Sequence, residues 1–280
     1  MKKLYGVIGD PIGHSMSPAM HNDAFETLGI NAYYHPFHIK REDLAAAVAG
    51  MKAIGVSGFN VTVPHKTAIM PLLDEVDPLA QAIGAVNTVI RSDNRYIGYN
   101  TDGEGFIRGL NEEYGKSVLD KHILIIGAGG AARAIYYTLG QQGAKRVDIA
   151  NRTAEKASQL KERCPYAVET ELLALIEAEE KLGDYDIIIQ TTSIGMSPGV
   201  DKMPLRLANI RPDAFLSDII YNPAQTALMK EAGLRGARVQ NGLRMFAYQG
   251  ALAFEKWTGV LPDPDRMEKI VQDKLGGKTC

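Results

Sequence analysis

Ile123-Leu124-Ile125-Ile126-Gly127-Ala128-Gly129-Gly130-Ala131-Ala132 is the stretch that decides how this chain folds. A continuous apolar run closed by glycine reads as a strand buried on both faces. The glycine-rich turn then opens a helix, with Gly127 and Gly129 in the first two positions of a dinucleotide fingerprint and Ala132 in the third. The first glycine allows the tight turn, and the second lets a pyrophosphate approach the backbone. The small third residue lets helix and strand pack closely. Exposed N–H groups and the helix dipole then favour a diphosphate at this turn. A bare glycine pattern says little, but between an apolar strand and a helix it predicts a nucleotide-binding α/β unit.

Downstream, Arg146–Ala150 reads as the next strand and runs into Asn151-Arg152-Thr153. Sites that prefer NAD place an Asp or Glu at this strand end, whereas an Arg suits a 2′-phosphate. Here there is no acid; Arg152 stands there, with Lys156 one helical turn later. A charged hydrogen bond of this kind contributes about 1.5–3 kcal/mol, or about ten- to a hundredfold in preference. The expected cofactor is therefore NADP. Helices are expected at Gly130–Leu139, Thr153–Arg163 and Glu171–Glu179, and buried strands at Tyr185–Ile189 and Ala214–Ile219. Such alternation predicts a parallel sheet covered on both faces.

Upstream, the chain is again α/β but carries no phosphate-loop pattern. Strands are expected at Leu4–Ile8, Tyr33–Ile39 and Gly58–Val63, the second an edge strand because of Pro36. Helices are expected at Pro18–Leu28, with Ser17 as N-cap and Pro18 at the first helical position, and at Arg41–Ala53. Val86–Arg91 and Tyr96–Tyr99 flank a hairpin turn, and a helix from about Gly103 to Tyr114 leads into the nucleotide unit. The residues after Gly242 are mostly helical and are expected to return to the first unit. The predicted architecture has a substrate-binding α/β domain over 1–103, completed by 242–280, and a Rossmann-type doubly wound domain over 104–241.

Composition narrows the function. A formal net charge of −2 argues against a nucleic-acid binder. Two cysteines, Cys164 and Cys280, give neither a disulfide framework nor metal-ligand spacing. The apolar stretch after Met1-Lys2-Lys3 is too short for a secretory signal, no apolar run reaches membrane-spanning length, and Cys280 lacks the following residues that prenylation needs. A cytoplasmic enzyme acting on a small molecule is expected.

Polar clusters sit where its substrate would bind. Along Asn60-Val61-Thr62-Val63-Pro64-His65-Lys66, strand alternation sends Asn60 and Thr62 one way and Val61 and Val63 the other, with Lys66 just beyond. Carboxyl ends of strands are where open α/β sheets hold ligands. Further clusters are His14-Ser15-Met16-Ser17-Pro18, Gly84 through Thr88, Asn100-Thr101-Asp102 and Asp218 through Pro223. Taken singly, Ser17 and Asp102 read as helix N-caps. His35 and His38 face opposite ways in a strand, which disfavours a metal site. His14 and His21 are expected to shape a loop, and Trp257 to pack.

With these clusters in this order, together with Asn151-Arg152-Thr153, Tyr221-Asn222-Pro223 and Gly242-Leu243-Arg244-Met245 with Gln249, the chain resembles the shikimate dehydrogenases over essentially its whole length. The resemblance implies NADP-linked reduction of 3-dehydroshikimate to shikimate, a step of aromatic amino-acid biosynthesis. It implies that Ser15, Ser17 and Tyr221 bind the substrate carboxylate. Asn60, Thr62, Lys66, Asn87, Asp102 and Gln249 would surround the ring hydroxyls and the reacting oxygen. It assigns Gly127, Ala128, Gly129, Gly130, Ala131, Asn151, Arg152, Thr153, Lys156, Ile219 and Gly242 to the cofactor, with Thr192 and Ser193 as weaker candidates. One departure is Gln190-Thr191-Thr192, where the family often has Asn-Ala-Thr.

Lys66 and Asp102 are the expected catalytic pair. The sequence leaves open whether Lys66 passes a proton or stands as a fixed cation beside the developing alkoxide. It also leaves open a quinate/shikimate dehydrogenase with relaxed cofactor use, a non-catalytic NADP-binding regulator, and a monomer or a homodimer.

Overall fold

A computed structural model describes residues 2–276; Met1 and Cys280, which entered the signal and prenylation readings, lie outside them. The chain divides into two units, one of Met1–Gly105 with the segment from Phe246 onward, the other of Phe106–Met245.

The first unit contains β1 (Lys3–Gly9), α1 (Ser17–Thr27), β2 (Ala32–His38), α2 (Leu44–Ala53), β3 (Gly58–Val61), β4 (Glu75–Val76), α3 (Pro78–Ile83), β5 (Thr88–Ser92) and β6 (Arg95–Tyr99). Its sheet has the order β2-β1-β3-β5-β6-β4. β1 runs parallel to both its neighbours, and β5 antiparallel to both of its own. As Pro36 suggested, β2 forms an edge. Ile8, Phe59, Val86, Val89 and Tyr96 are fully buried in the core of this unit.

Four local expectations change. The helix expected at Arg41 opens with a 3-10 turn, and α2 proper begins at Leu44. β3 stops at Val61 because the chain turns there, the His65 N–H donating to Thr62 O at 2.9 Å. Val63 is consequently 69% exposed while Val61 is buried. Ser17 is not an N-cap: Met16 holds that position in helical backbone geometry, no side chain caps α1, and the Ser17 N–H donates to Ser15 Oγ at 3.3 Å. Asp102 is not a cap either; it is the first residue of α4 (Asp102–Tyr114), and its carboxylate is engaged elsewhere.

In the second unit follow β7 (His122–Ile126), α5 (Gly130–Gln141), β8 (Arg146–Ala150), α6 (Ala154–Glu162), β9 (Leu172–Leu173), α7 (Leu175–Lys181), β10 (Ile187–Gln190), β11 (Phe215–Asp218), α8 (Ala227–Leu234) and β12 (Arg238–Gln240). Every pairing is parallel, and the order β12-β11-β10-β7-β8-β9 is that of the doubly wound dinucleotide fold. Ile123 through Ile126 are fully buried, as a central parallel strand requires. The helix expected over Glu171–Glu179 starts only at Leu175. Leu172–Leu173 instead pair with Ile149 and Ala150, and Asp148 Oδ1 accepts from the Glu171 N–H at 2.8 Å. Helix propensity yields here to an open sheet edge. α8, capped by Thr226, and β12 were not anticipated.

α9 (Leu243–Thr258) and α10 (Pro264–Gly276) complete the chain. Trp257 Nε1 donates to Val89 O at 3.0 Å and its ring lies 5.1 Å from that of Tyr5. Arg266 holds Asp23 through two bonds of 2.6 and 2.8 Å.

Candidate active site

Sheet register assembles the polar centre of the first unit. Asn60 on β3 pairs with Thr88 on β5, which pairs with Tyr99 on β6. One row across three strands thus brings the Asn60 cluster beside Asn87 and beside the start of α4. At the centre, Lys66 Nζ donates to Asp102 Oδ2 at 2.6 Å, and Asn87 Nδ2 donates to Asp102 Oδ1 at 2.7 Å. The carboxylate is held at both oxygens. Asn87 is fixed in turn, since its Oδ1 accepts from the Thr101 N–H at 2.8 Å and from Thr88 Oγ1 at 2.9 Å. Asn100 Oδ1 accepts from the Asp102 N–H at 3.0 Å. Asp102 is 16% exposed and Lys66 32%, so the ammonium reaches solvent while its partner is mostly covered. A charge oriented this way is suited to proton transfer or to an oxygen gaining negative charge.

Asn60 is buried and spoken for. Its Oδ1 accepts from Tyr34 OH at 2.7 Å, and its Nδ2 donates to Asn87 O and Thr88 Oγ1, each at 3.2 Å. Burial holds the Tyr34 phenol well above its usual value, so it remains a donor. His21 stacks on Tyr34 at 4.4 Å, and burial pushes its imidazole down to about 3, leaving it neutral. Thr62 is half-buried just past β3, as are Ser15 before α1 and Gln249 on α9, and Ser17 is buried. Thr101 Oγ1 donates to the Gln249 carbonyl at 3.0 Å, while the Gln249 side chain donates back to Phe246 O at 2.8 Å.

In the second unit, Gly127 leaves β7 with φ +115°, where a side chain would be strained, and a Cβ there would stand 2.5 Å from Thr191 Oγ1. The two strands flanking this point, β7 and β10, are where the order of the sheet reverses, the crevice in which such folds bind dinucleotides. Gly129 is the N-cap of α5, no side chain caps that helix, and Gly129 and Gly130 are exposed. A Cβ on either would meet nothing within 4 Å. The turn and its helix terminus therefore suit a diphosphate. Beside it, α6 also lacks a side-chain cap, Asn151 Nδ2 donates to Thr153 O at 2.8 Å, and Arg152, Thr153 and Lys156 are exposed. That basic helix start fits a 2′-phosphate. A Cβ on Gly242 would lie 2.0 Å from Ile219 O, so only glycine fits there. Burial raises the Tyr221 phenol, keeping it protonated at neutral pH.

The residues expected to meet the substrate lie in the first unit except Tyr221, which lies in the second with all those expected to meet the cofactor; direct hydrogen bonds join Lys66, Asp102 and Asn87, and Asn60 to Asn87. Tyr34, Thr88 and Thr101 also support the polar centre; the sequence pattern does not single them out, although Thr88 and Thr101 lie within the Gly84–Thr88 and Asn100–Asp102 motifs. Among the described residues no group of His, Cys, Asp or Glu is arranged to hold a metal ion, and no helix is long and apolar enough to cross a membrane.

Three family models match: the shikimate dehydrogenase substrate-binding domain at residues 7–89, shikimate/quinate 5-dehydrogenase at 110–209, and the shikimate 5′-dehydrogenase C-terminal domain at 242–272. A shikimate dehydrogenase (NADP(+)) of Geobacillus is 57% identical over 277 residues, 99% of this chain and 100% of the relative. The Thermus thermophilus shikimate 5-dehydrogenase in complex with NADP(H) and shikimate superposes with a TM-score of 0.87 at 35% identity, covering 97% of this chain and 99% of that one. The Listeria monocytogenes enzyme in complex with shikimate and NAD gives 0.91 at 34% identity, covering 96% of each.

Proposed function

The chain belongs to the shikimate dehydrogenase family, and from that premise we propose how its residues divide the work. The reaction is the reversible, NADP-linked reduction of 3-dehydroshikimate to shikimate. The bound cofactor supplies the hydride in one direction and accepts it in the other. Lys66 holds the proton at Nζ for the ketone oxygen and takes the hydroxyl proton back in the reverse direction. Asp102 orients that ammonium, and Asn87 keeps Asp102 from turning. The observation that carries this reading is the continuous chain from Lys66 Nζ through both oxygens of Asp102 to Asn87, with links of 2.6 and 2.7 Å.

Ser15, Ser17 and Tyr221 receive the substrate carboxylate, while Asn60, Thr62, Asn87 and Gln249 meet the ring oxygens. A hydroxyl missing from the ligand would leave a buried partner unsatisfied at about 1–3 kcal/mol, which is how such a site rejects poorer analogues. The Gly127–Ala131 turn would hold the diphosphate, with Ile219 on the cofactor side and Gly242, closely packed on it, letting the nicotinamide end approach the backbone. Arg152, Thr153 and Lys156, after Asn151, take the 2′-phosphate. The unit of Met1–Gly105 with the segment from Phe246 onward serves as the substrate-binding domain, and Phe106–Met245 as the cofactor domain, a few residues from the 103/104 and 241/242 bounds expected from the sequence. The aromatic-precursor chemistry and the sparse cysteines favour a cytoplasmic enzyme acting on a free small molecule.

Initial rates of shikimate oxidation with NADP, run beside NAD and beside quinate, test the reading. Rapid turnover with shikimate and NADP alone is expected. Comparable rates with NAD or quinate would remove the role given to Arg152 or the selectivity given to the polar centre. Tight NADP binding without turnover would mark a regulator.

A further inference from the structure

Asp218, at the carboxyl end of β11, is fully buried and faces donors only. Its Oδ1 accepts from the Ile220 N–H at 3.0 Å and lies 3.5 Å from Gln190 Nε2; its Oδ2 accepts from Thr226 Oγ1 at 2.8 Å. The directions of these bonds are set by other contacts. Thr226 Oγ1 accepts from the Met229 N–H, so its own proton turns to Asp218. Gln190 Oε1 accepts from the Thr192 N–H, which turns the amide nitrogen toward Asp218 and toward Thr192 O and Ile194 O. A ring of donors is matched by an ionised carboxylate and poorly by a protonated one.

These donors belong to three segments: the end of β10, whose Gln190 also holds the loop that follows it, the turn after β11, and the N-cap of α8. The turn after β11 carries Ile219 and Tyr221, and its Ile220 carbonyl accepts from the Gly242 N–H at 3.0 Å. We propose that ionised Asp218 is a positioning residue that fixes the Ile219–Tyr221 turn in the arrangement that receives shikimate. This rests on the reading of Tyr221 as a carboxylate contact.

Burial pushes this carboxyl up to about 6, partly opposed by the Ile220 N–H and the Thr226 hydroxyl. The facing groups from β10, its following loop and α8 are uncharged: Gln190, Thr192, Ile194 and Thr226. No charged side chain contributes to the shift. The charge is therefore present above that value and lost below it.

The test is the shikimate KM of Asp218→Asn at saturating NADP, followed from about pH 5 to about pH 8. Above the transition a KM raised roughly tenfold is expected, with kcat within about threefold. Toward the acid end wild type should converge on the variant, because its own Asp218 then carries a proton. A simple packing role would raise KM equally at every pH, or leave it unchanged; either result overturns the proposal. Thr226→Val provides a second check that keeps the carboxyl. Removing a donor that lowers the Asp218 titration should move the acid limb to higher pH, and an unmoved limb counts against the proposal. Tyr221→Phe separates this inference from the one beneath it. An unchanged KM there removes the carboxylate contact, whereas the Asp218→Asn profile decides the positioning role.

Discussion

Lys66 is useful because of what holds it. A free lysine samples many rotamers and delivers a proton poorly, whereas here Asp102 and Asn87 fix Nζ before a substrate arrives. Lys66→Ala should lower kcat by roughly 10²–10⁴, the usual worth of a positioned acid, with a modest change in shikimate KM. Steady-state kinetics check this, and a near-normal kcat would strip Lys66 of the role. At this scale the sequence was most informative about the hydrogen-bonded centre itself: Lys66, Asp102 and Asn87, which the structure links, could be picked out by type and motif. Their supports could not. Tyr34 reaches Asn60 across a sheet, and nothing in its neighbours along the chain announces that contact. Ser17 and Asp102 misled for the opposite reason. Each has the composition of a cap, yet Met16 takes the cap of α1 and the Asp102 carboxylate is drawn to Lys66.

Helix starts do the comparable work among elements. α5 and α6 both begin without a side-chain cap, at neighbouring strand ends of one parallel sheet. Their terminal N–H groups suit phosphate, and in the proposed reading Arg152 adds the charge that separates the two cofactors. Arg152→Ser should raise the NADP KM about ten- to a hundredfold while leaving that for NAD nearly unchanged. A parallel loss with both cofactors would show that Arg152 supports the fold instead. Strong apolar strands such as His122–Ile126 were legible because periodicity and length agree there. β9 was not, since only the vacant edge of β8 makes a strand of two leucines in a helix-like stretch. The Gln190 departure from the family pattern has a structural meaning as well: its amide ties the loop after β10 to Asp218.

At the scale of the molecule, two sheets of different topology share one chain, and every phosphate contact proposed above falls on the all-parallel one. NADP at about a hundred times its dissociation constant stabilises the state that binds it by about 2.7 kcal/mol. In hydrogen-exchange mass spectrometry, NADP alone should therefore slow exchange most in the peptides around Gly127–Arg133 and Asn151–Lys156. Equal protection of β1, β2 and β3 would contradict the assignment of the cofactor to the second unit.

The bond between Trp257 and Val89 spans 168 positions of sequence. On a ribosome, the strands of the first unit emerge and then wait, because their covering helix follows the strands of the second unit. The second unit, continuous from Phe106 to Met245, has its whole core in hand before that. Synthesis thus delivers the all-parallel sheet of the second unit while the strands of the first still lack α9. Until then Tyr5 and Val89 lack the partner that the sole tryptophan brings them.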